Sequence, residues 1–192
     1  MTAQDVLDFW FLPPGSEGYG GARAEWFRKD DAFDALIRER FGPLVEQAIG
    51  GGLHEWDGQG PRQALARILL LDQFTRNACR GKAASFAGDA LAQDAAQRLL
   101  ESGAEGELLP VQLWFAYLPF EHAESMAMQE QSVALFSALA AANPQLDGAL
   151  DYARKHRAVI ERFGRSPGRN AALGRVSTPE EVAYLAQGGS GF

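Results

Sequence analysis

In the segment Arg67-Ile-Leu-Leu-Leu-Asp-Gln-Phe-Thr-Arg-Asn-Ala-Cys-Arg80, four consecutive aliphatic residues, 68–71, are followed by charged residues. Its charges Asp72, Arg76 and Arg80 follow one another at i, i+4 spacing. An α-helix turns by about 100° per residue, so each such step rotates the side chain by only about 40°. Asp72 and Arg76 therefore continue the apolar side on which Ile68 lies. Because buried charge is costly unless it is paired, the segment predicts a buried helix that carries either an internal ion network or a ligand site.

Helical periodicity extends through the rest of the chain, and valine and isoleucine do not alternate with polar residues as they do in strands. Capping residues, prolines and glycines mark most of the helix ends. The predicted helices cover residues 2–11, 30–49 with a disturbance at 42–43, 61–80, 89–101, 110–119, 120–142, 147–163 and a short stretch from 178. We expect an all-α bundle of about eight helices. It forms a single domain over residues 1–187, with a flexible tail over residues 188–192.

Composition argues against several classes of protein. The 192 residues are 46% hydrophobic and carry a formal net charge of −7, which does not suit a nucleic-acid-binding or anionic-membrane surface. No apolar run approaches the roughly 20 residues of a membrane-spanning helix, and no basic start of a signal peptide is present. The single cysteine, Cys79, excludes an intramolecular disulfide and fits a reducing compartment. We expect a cytoplasmic protein that contacts neither nucleic acid nor membrane.

The polar half of the opening segment, Leu71-Asp-Gln-Phe-Thr-Arg-Asn77 with Arg80-Gly81 behind it, resembles the bacterial family called domain of unknown function 924. Other blocks similar to the family are Val6-Leu-Asp-Phe-Trp-Phe11, Trp26-Phe27, Phe33-Asp-Ala-Leu-Ile-Arg38, Tyr117-Leu-Pro-Phe120 with His122 and Glu124, Tyr152-Ala153, His156, Arg162-Phe-Gly-Arg165, Arg169-Asn170, Leu173-Gly-Arg175 and Ser177-Thr178. Together the blocks cover nearly the whole chain. The resemblance implies a helical fold of the tetratricopeptide-like class. It implies no activity, because the family is defined without one.

The chain departs from the family pattern at several positions. Thr75 stands where the family usually has proline, and Glu121 stands where it usually has methionine. Ala123 and Ser125 lie where the family usually has serine and then acidic residues. The usual Phe-Pro-His before Arg-Asn is here Ser-Pro-Gly, at residues 166–168. The loss of that histidine weakens any mechanism that would use it.

Four polar residues of the opening segment are candidate ligand-binding residues. Arg76, Asn77 and Arg80 would donate to a carboxylate or phosphate, because guanidinium groups form a planar fork that suits such anions. Asp72 would hold Arg76 in place. The alternative is that these groups and acidic residues of another helix form a closed internal network, since structural ion pairs also gather where helices cross.

Acids and an imidazole lie close together at Glu121, His122 and Glu124. A general acid–base pair is one interpretation, with His122, His156 and Glu124 as catalytic candidates and Glu121 among the ligand-binding ones. In a regular helix His122 and Glu124 would lie about 160° apart, and the spacing of the histidines does not match a metal site. We therefore expect no metal and no cofactor. His156 lies on an apolar stripe and is either a satisfied core residue or a base at a pocket rim.

The end of the chain is rich in arginine. Arg165 and the pair Arg169-Asn170 lie in a loop with glycine and proline, where side chains can converge on a ligand. The pair repeats Arg76-Asn77 of the opening segment. Because each of these segments interrupts apolar surroundings with charge, we expect residues 72–80, residues 120–124 and this loop to meet at one location.

The candidate residues support three hypotheses for function. The first is a polar pocket that binds a small anionic metabolite or a peptide terminus. Its donors would be Arg76, Asn77, Arg80, Arg165, Arg169 and Asn170, and its acceptors Glu124 with His122 or His156. The second is a metal-free hydrolase or lyase with a histidine base, and the third is a scaffold with a closed interior whose surface binds a protein partner. An open pocket with converging arginines favours the first two, and a fully paired interior favours the third.

Overall fold

A computed structural model describes residues 1–189 of the protein, and this part of the chain contains no strand. Its eight helices are α1 (Ala3–Phe11), α2 (Asp31–Ile49), α3 (Pro61–Ile68, the π-helical turn Leu69–Phe74 and Thr75–Ala78), α4 (Asp89–Ser102), α5 (Pro110–Glu121), α6 (Met126–Ala142), α7 (Asp147–Phe163) and α8 (Pro179–Ala186). The predicted all-α bundle is confirmed. None of these helices is long and apolar enough to cross a membrane. Residues 190–192 of the predicted tail lie outside the described residues.

Short 3-10 turns connect the helices. They are Ala24–Trp26, His54–Gly58, Ala83–Phe86, Ala104–Glu107, Pro144–Leu146 and Pro167–Arg169. Two of these turns carry residues of the candidate site. Phe86 lies in the turn that precedes α4, and Arg169 lies in the turn that follows α7. The predicted disturbance of the second helix does not occur. α2 continues through Pro43, since Phe41 and Val45 on either side are buried and hold the helix against the core.

The boundary between α5 and α6 differs from the prediction. α5 continues past Pro119 to Glu121, and the helix breaks afterwards, at residues 122–125. Gln129 of α6 stabilises this break, because its Nε2 donates to the carbonyl oxygens of Glu121 and Ala123 at 2.6 and 2.8 Å. Carbonyl groups that a helix end leaves without partners are thereby satisfied. The regular helix assumed for His122 and Glu124 is therefore absent, and their side chains are not constrained to helical angles.

α3 is the centre of the bundle. Residues 68–74 are almost completely buried, and the helix packs against α1, α2, α4 and α5. Trp10 of α1 packs against Trp26, Phe74 and Phe115, with ring centroids 6.2, 5.3 and 5.5 Å apart. The Trp26 pair is stacked, the Phe74 pair is tilted and the Phe115 pair is edge-to-face, and aromatic pairs at such distances stabilise a core beyond the area they bury. On the other side, α5 packs on α6 and α6 packs on α7.

The π-helical turn of α3 positions the polar residues that follow it. Residues in such turns depart from the regular pattern of backbone hydrogen bonds. Thr75 supplies side-chain hydrogen bonds there, because its hydroxyl donates to the carbonyl oxygens of Leu71 and Asp72 at 2.8 and 3.2 Å. Gly88 lies directly against this turn, and a side chain there would collide with the backbone of Leu71. The close approach brings Asp89, the first residue of α4, against α3.

Candidate functional site

Asp72 is almost completely buried, and its carboxylate contacts three neighbours. Its Oδ1 lies 2.8 Å from Nδ1 of His122 and 2.9 Å from Nη1 of Arg76, and its Oδ2 accepts a 2.6 Å hydrogen bond from Gln73. Burial alone would raise the pKa of Asp72, but the Arg76 charge and the hydrogen bonds hold that pKa well below its usual range. Asp72 is therefore an ionised carboxylate in the protein interior.

Asp89 joins two arginines that belong to distant parts of the sequence. Arg76 approaches its Oδ1 at 3.0 Å, and Arg169 donates to its Oδ2 at 2.9 Å. Arg169 also donates to the backbone oxygen of His122 at 2.6 Å. Both guanidinium groups lie over the ring of Phe86, 5.8 and 4.8 Å from its centroid. The charges of Arg76 and Arg169 are balanced by Asp72 and Asp89, which is the composition of a closed internal network.

His122 is held in one tautomer by its contact with Asp72. A carboxylate that accepts from Nδ1 places the proton there and leaves Nε2 as an acceptor. Within residues 1–189 the only hydrogen bond of the His122 ring is the one to Asp72. Burial lowers the pKa of His122, and repulsion from Arg76 and Arg169 adds to this. The residue is therefore a neutral imidazole at pH 7 with one unused acceptor nitrogen.

Glu121 and His156 form a second acid–imidazole contact beside the first. Oε1 of Glu121 lies 3.3 Å from Nε2 of His156, and the ring centroids of His156 and His122 are 5.8 Å apart. Burial and the nearby charge of Asp72 raise the pKa of Glu121 to about 8, and burial lowers the pKa of His156 to about 3. Both shifts favour the uncharged forms, which are a protonated carboxyl and a neutral imidazole. Oε2 of Glu121 is buried without a hydrogen-bond partner among residues 1–189.

Asn77 and Arg80 contact α2 instead of this cluster. Nδ2 of Asn77 donates to Asp34 at 2.8 Å, and Arg80 donates to both oxygens of Asp34 at 2.7 and 2.9 Å. Sequence reasoning did not select Asp34. A usable signal was present, because Asp34 lies three residues before Ile37 and seven before Phe41, on the buried side of α2.

Arg165 and Asn170 belong to a third cluster, at the start of α8. Arg165 donates to both carboxylate oxygens of Glu181, at 2.7 and 2.8 Å, and Asn170 donates to the same residue at 3.2 Å. Glu124 accepts two hydrogen bonds from Arg175, at 2.7 and 2.9 Å. The carboxylate of Glu124 is therefore used by this cluster and not by the histidines.

The expected single pocket divides into three clusters. The central cluster contains Asp72, Arg76, Phe86, Asp89, Glu121, His122, His156 and Arg169. The α2 cluster contains Asp34, Asn77 and Arg80, and the α8 cluster contains Glu124, Arg165, Asn170, Arg175 and Glu181. The arginines of the two Arg-Asn pairs meet at Asp89, whereas their asparagines do not meet. Residues 72–80, residues 120–124 and the arginine-rich loop do meet as expected, since Asp72 and Asp89 join Arg76, His122 and Arg169. Not all six expected donors lie there, because Arg80 and Arg165 are each bound by a buried carboxylate of another helix.

An open pocket lies beside the α2 cluster. It has a volume of about 470 Å³ and is lined by Lys29, Asp31, Asp34, Arg38, Ala78, Cys79, Arg80, Gly81 and Lys82. We call it the cationic pocket, because four cationic side chains face two acidic ones. Arg38 and Lys82 are exposed, and their side chains form no hydrogen bond and no ion pair within 4.0 Å with any described residue, although Asp34 attracts Arg38 over a longer distance. Of the residues selected from the sequence, this pocket includes Arg80 alone.

Metal coordination has no evident site in this part of the molecule. Within residues 1–189 no three histidine, cysteine or acidic side chains are grouped so that they could hold a metal ion. The central cluster illustrates the reason, because Arg76 and Arg169 already neutralise its two ionised carboxylates.

Comparison with known proteins agrees with the fold. Residues 6–189 match the family described as "Bacterial protein of unknown function (DUF924)". A solved structure of a protein of unknown function from Agrobacterium tumefaciens is similar, with 37% sequence identity and a TM-score of 0.82 over 96% of this chain and 97% of the other. A comparison with curated proteins gives no match. The chain therefore belongs to the DUF924 family of bacterial proteins of unknown function.

Proposed function

We propose that the protein binds a small anionic ligand in the cationic pocket between α2 and α3. The observation that carries this proposal is the lining of the pocket, in which four cationic side chains face two acidic ones and leave a formal surplus of two positive charges. A concave surface lined by an excess of one sign of charge attracts ligands of the opposite sign. The formal net charge of −7 does not oppose this, because charges beyond roughly 8–10 Å are largely screened at moderate salt.

Arg80 gives the pocket a fixed donor. Its Nε and Nη2 are held by Asp34, which is almost completely buried, so the guanidinium plane is immobilised. Its Nη1 makes no hydrogen bond within residues 1–189 and stays available. A donor that is already ordered loses little conformational entropy when a ligand arrives, and this favours binding.

The central cluster suits an anion less well than the cationic pocket does. Arg76 and Arg169 are its cations, and Asp72 and Asp89 already balance them. An added anion would leave a negative charge uncompensated in a largely buried position, which is costly. The anion would have to displace Asp89 from both arginines.

A thermal-shift experiment with phosphate, sulfate and small carboxylates tests the proposal. We expect some of these anions to raise the melting temperature above that in sodium chloride of equal ionic strength. A ligand that binds only the native state stabilises it by about 2.7 kcal/mol at a hundredfold excess over its dissociation constant. Arg38→Gln and Lys82→Gln should reduce the gain, because they remove the unpaired cations.

Arg169→Gln distinguishes the two locations. The variant alters the central cluster and leaves the lining of the cationic pocket intact. Its anion response should equal that of the wild type, whatever its own melting temperature. A response that disappears in Arg169→Gln and persists in Arg38→Gln would place the site in the central cluster. Anions that all act like chloride would contradict the proposal altogether.

A specific observation also favours a second candidate function, that of a hydrolase or lyase with His122 as its base. Asp72 fixes the tautomer of this imidazole, and its Nε2 accepts no hydrogen bond from the described residues. A panel of p-nitrophenyl esters and phosphates tests this function. Turnover above the buffer rate that is lost in His122→Gln and kept in the surface variant Arg154→Gln would support it. Equal rates in wild type and His122→Gln would contradict it.

We also infer a cytoplasmic location and a tetratricopeptide-like class for the fold, and neither is needed for the anion site. The single cysteine and the acidic net charge support the location. The successive packing of α5 on α6 and α6 on α7 supports the class, in which the surface of a scaffold would bind a protein partner. Fractionation of cells and capture of a defined partner would test these two inferences.

A further inference from the structure

Two of the four cations that line the cationic pocket form ion pairs with its two acidic residues. Arg80 is bound by Asp34 at 2.7 Å, and Lys29 lies 3.6 Å from Asp31 at the exposed rim. These two contacts use both acidic residues of the pocket. Arg38 and Lys82 lie in no ion pair closer than 4.0 Å with a described residue, although Asp34 attracts Arg38 over a longer distance, so the lining keeps a formal surplus of two positive charges.

We propose that the ligand of the cationic pocket is a small dianion, and that Arg38 and Lys82 each neutralise one of its two negative charges. The inference rests on the proposed function and specifies the ligand class of that same site. Two charges on the ligand match the formal surplus of two positive charges in the lining, where four cations face two acidic residues. A monoanion would leave one of these two positive charges without a counter-charge, and a neutral ligand would leave both without one.

The side chains present fit a phosphate monoester or a dicarboxylate. Arg38 offers a planar fork of donors that matches the oxygen pairs of a carboxylate or a phosphate, and Lys82 offers a compact charge on a flexible stem. Arg80 adds its free Nη1 as a hydrogen-bond donor rather than as an unbalanced charge, since Asp34 already neutralises it. The shared chemistry of both ligand types is a pair of negative charges on a small skeleton.

The dimensions of the pocket set the size of this ligand. A volume of about 470 Å³ lies in the lower half of the range for sites that hold small molecules, roughly 300–1,000 Å³. Ala78 and Gly81 are small lining residues, which leave room for a short carbon skeleton between the charged groups. The volume therefore accommodates a ligand of metabolite size.

Isothermal titration calorimetry with matched anions tests the charge of the ligand. Sulfate and methyl sulfate share a tetrahedral shape but carry two charges and one charge, and succinate and monomethyl succinate form a second such pair. All titrations are made at equal ionic strength with sodium chloride as the balancing salt. We expect at least one dianion to bind roughly two- to fivefold more tightly than its monoanionic partner, the effect of one further ion pair at a partly exposed site. The pair that shows the larger effect distinguishes phosphate-like from dicarboxylate ligands.

Variants connect this preference to the two cations. Arg38→Gln and Lys82→Gln should each reduce the ratio of dianion to monoanion affinity to about one. Arg154→Gln makes the same change in net charge on α7, at a side chain that is 60% exposed and outside the pocket, and should keep the wild-type ratio. Circular dichroism checks that each variant is folded. Equal binding of both members of each pair by the wild type would overturn the dianion inference and leave anion binding intact, whereas no binding of any anion would overturn both.

Discussion

Asp34 of α2 accepts hydrogen bonds from both Nε and Nη2 of Arg80, at 2.7 and 2.9 Å. Burial opposes the charge of Asp34, but the hydrogen bonds from Arg80 and Asn77 lower its pKa below the usual value and keep it ionised. The contact joins the end of α3 to α2 and fixes one wall of the cationic pocket. Asp34 also attracts Arg38 but accepts no hydrogen bond from it, and Lys82 contacts no carboxylate of the described residues, so the structural cation Arg80 is distinguishable by mutation from the ligand-facing cations Arg38 and Lys82.

Substitutions in the cationic pocket should separate these two kinds of cation. Arg80→Gln should destabilise the protein by at least about 1 kcal/mol, because it leaves the buried carboxylate of Asp34 with fewer donors. Arg38→Gln and Lys82→Gln should change the free energy of unfolding by no more than about 0.5 kcal/mol. Urea melts at pH 7 measure all three. A loss in Arg38→Gln as large as that in Arg80→Gln would mean that Arg38 serves the fold.

The central cluster should behave as a structural network. Arg76→Ala should cost about 3 kcal/mol, because it removes the charge that pairs with the buried Asp72. Arg98→Ala is a matched control, since Arg98 and Asp94 form an i, i+4 pair on α4 with both side chains more than half exposed. That variant should lose less than about 1 kcal/mol. If denaturant melts show similar small losses for both variants, Arg76 is not part of a structural network.

The tautomer of His122 can be observed directly. The carboxylate of Asp72 accepts from Nδ1, so nitrogen-15 NMR at pH 7 should show a neutral ring with its proton on Nδ1. Because burial first, and then Arg76 and Arg169, lower the pKa of His122, the ring should stay neutral to a pH below the ordinary value near 6.5. A proton on Nε2, or protonation near pH 6.5, would contradict the assigned geometry.

Glu121 should make stability depend on pH in an uncommon direction for a carboxyl. Its pKa is raised to about 8 in the folded protein, so from its unfolded value of about 4.5 up to pH 8 the folded state binds the extra proton and stability falls as pH rises. Glu121→Gln removes this dependence. Between pH 7 and 8 the free energy of unfolding of the variant should rise relative to that of the wild type by at most about 1.4 kcal/mol per pH unit. A difference between the two proteins that is constant over this interval would show that Glu121 does not titrate there.

Most of the fold could be predicted from the sequence, because helix ends and apolar periodicity are local signals. The break after Glu121 was missed, since it depends on Gln129 of the next helix, which supplies donors to the free carbonyl oxygens. Continuity of α2 through Pro43 was missed for a related reason. There the packing of Phe41 and Val45 outweighs the local penalty of proline.

The candidate site could be predicted only in part. Asp72 and Arg76 were found, because charge on a buried stripe is visible in the spacing of a single helix. Asp89 was missed, since its role depends on the close approach of Gly88 to Leu71.

Arg38 and Lys82 were also missed, and nothing in their own helix or loop marks them. A cation without a partner is recognised only when the acidic groups of every neighbouring element are known. The sequence spacing of Arg38 and Lys82 carries no such information, because they approach the same pocket from different elements.

The most direct measurement is a crystal structure of the protein with selenate, a dianion whose selenium scatters anomalously. The account predicts an anomalous peak in the cationic pocket, with selenate oxygens within hydrogen-bond distance of Arg38 and Lys82. The same crystals of Arg38→Gln should lack this peak while keeping the fold. A peak between Arg76 and Arg169, or no peak in the cationic pocket at concentrations that raise the melting temperature, would contradict the account.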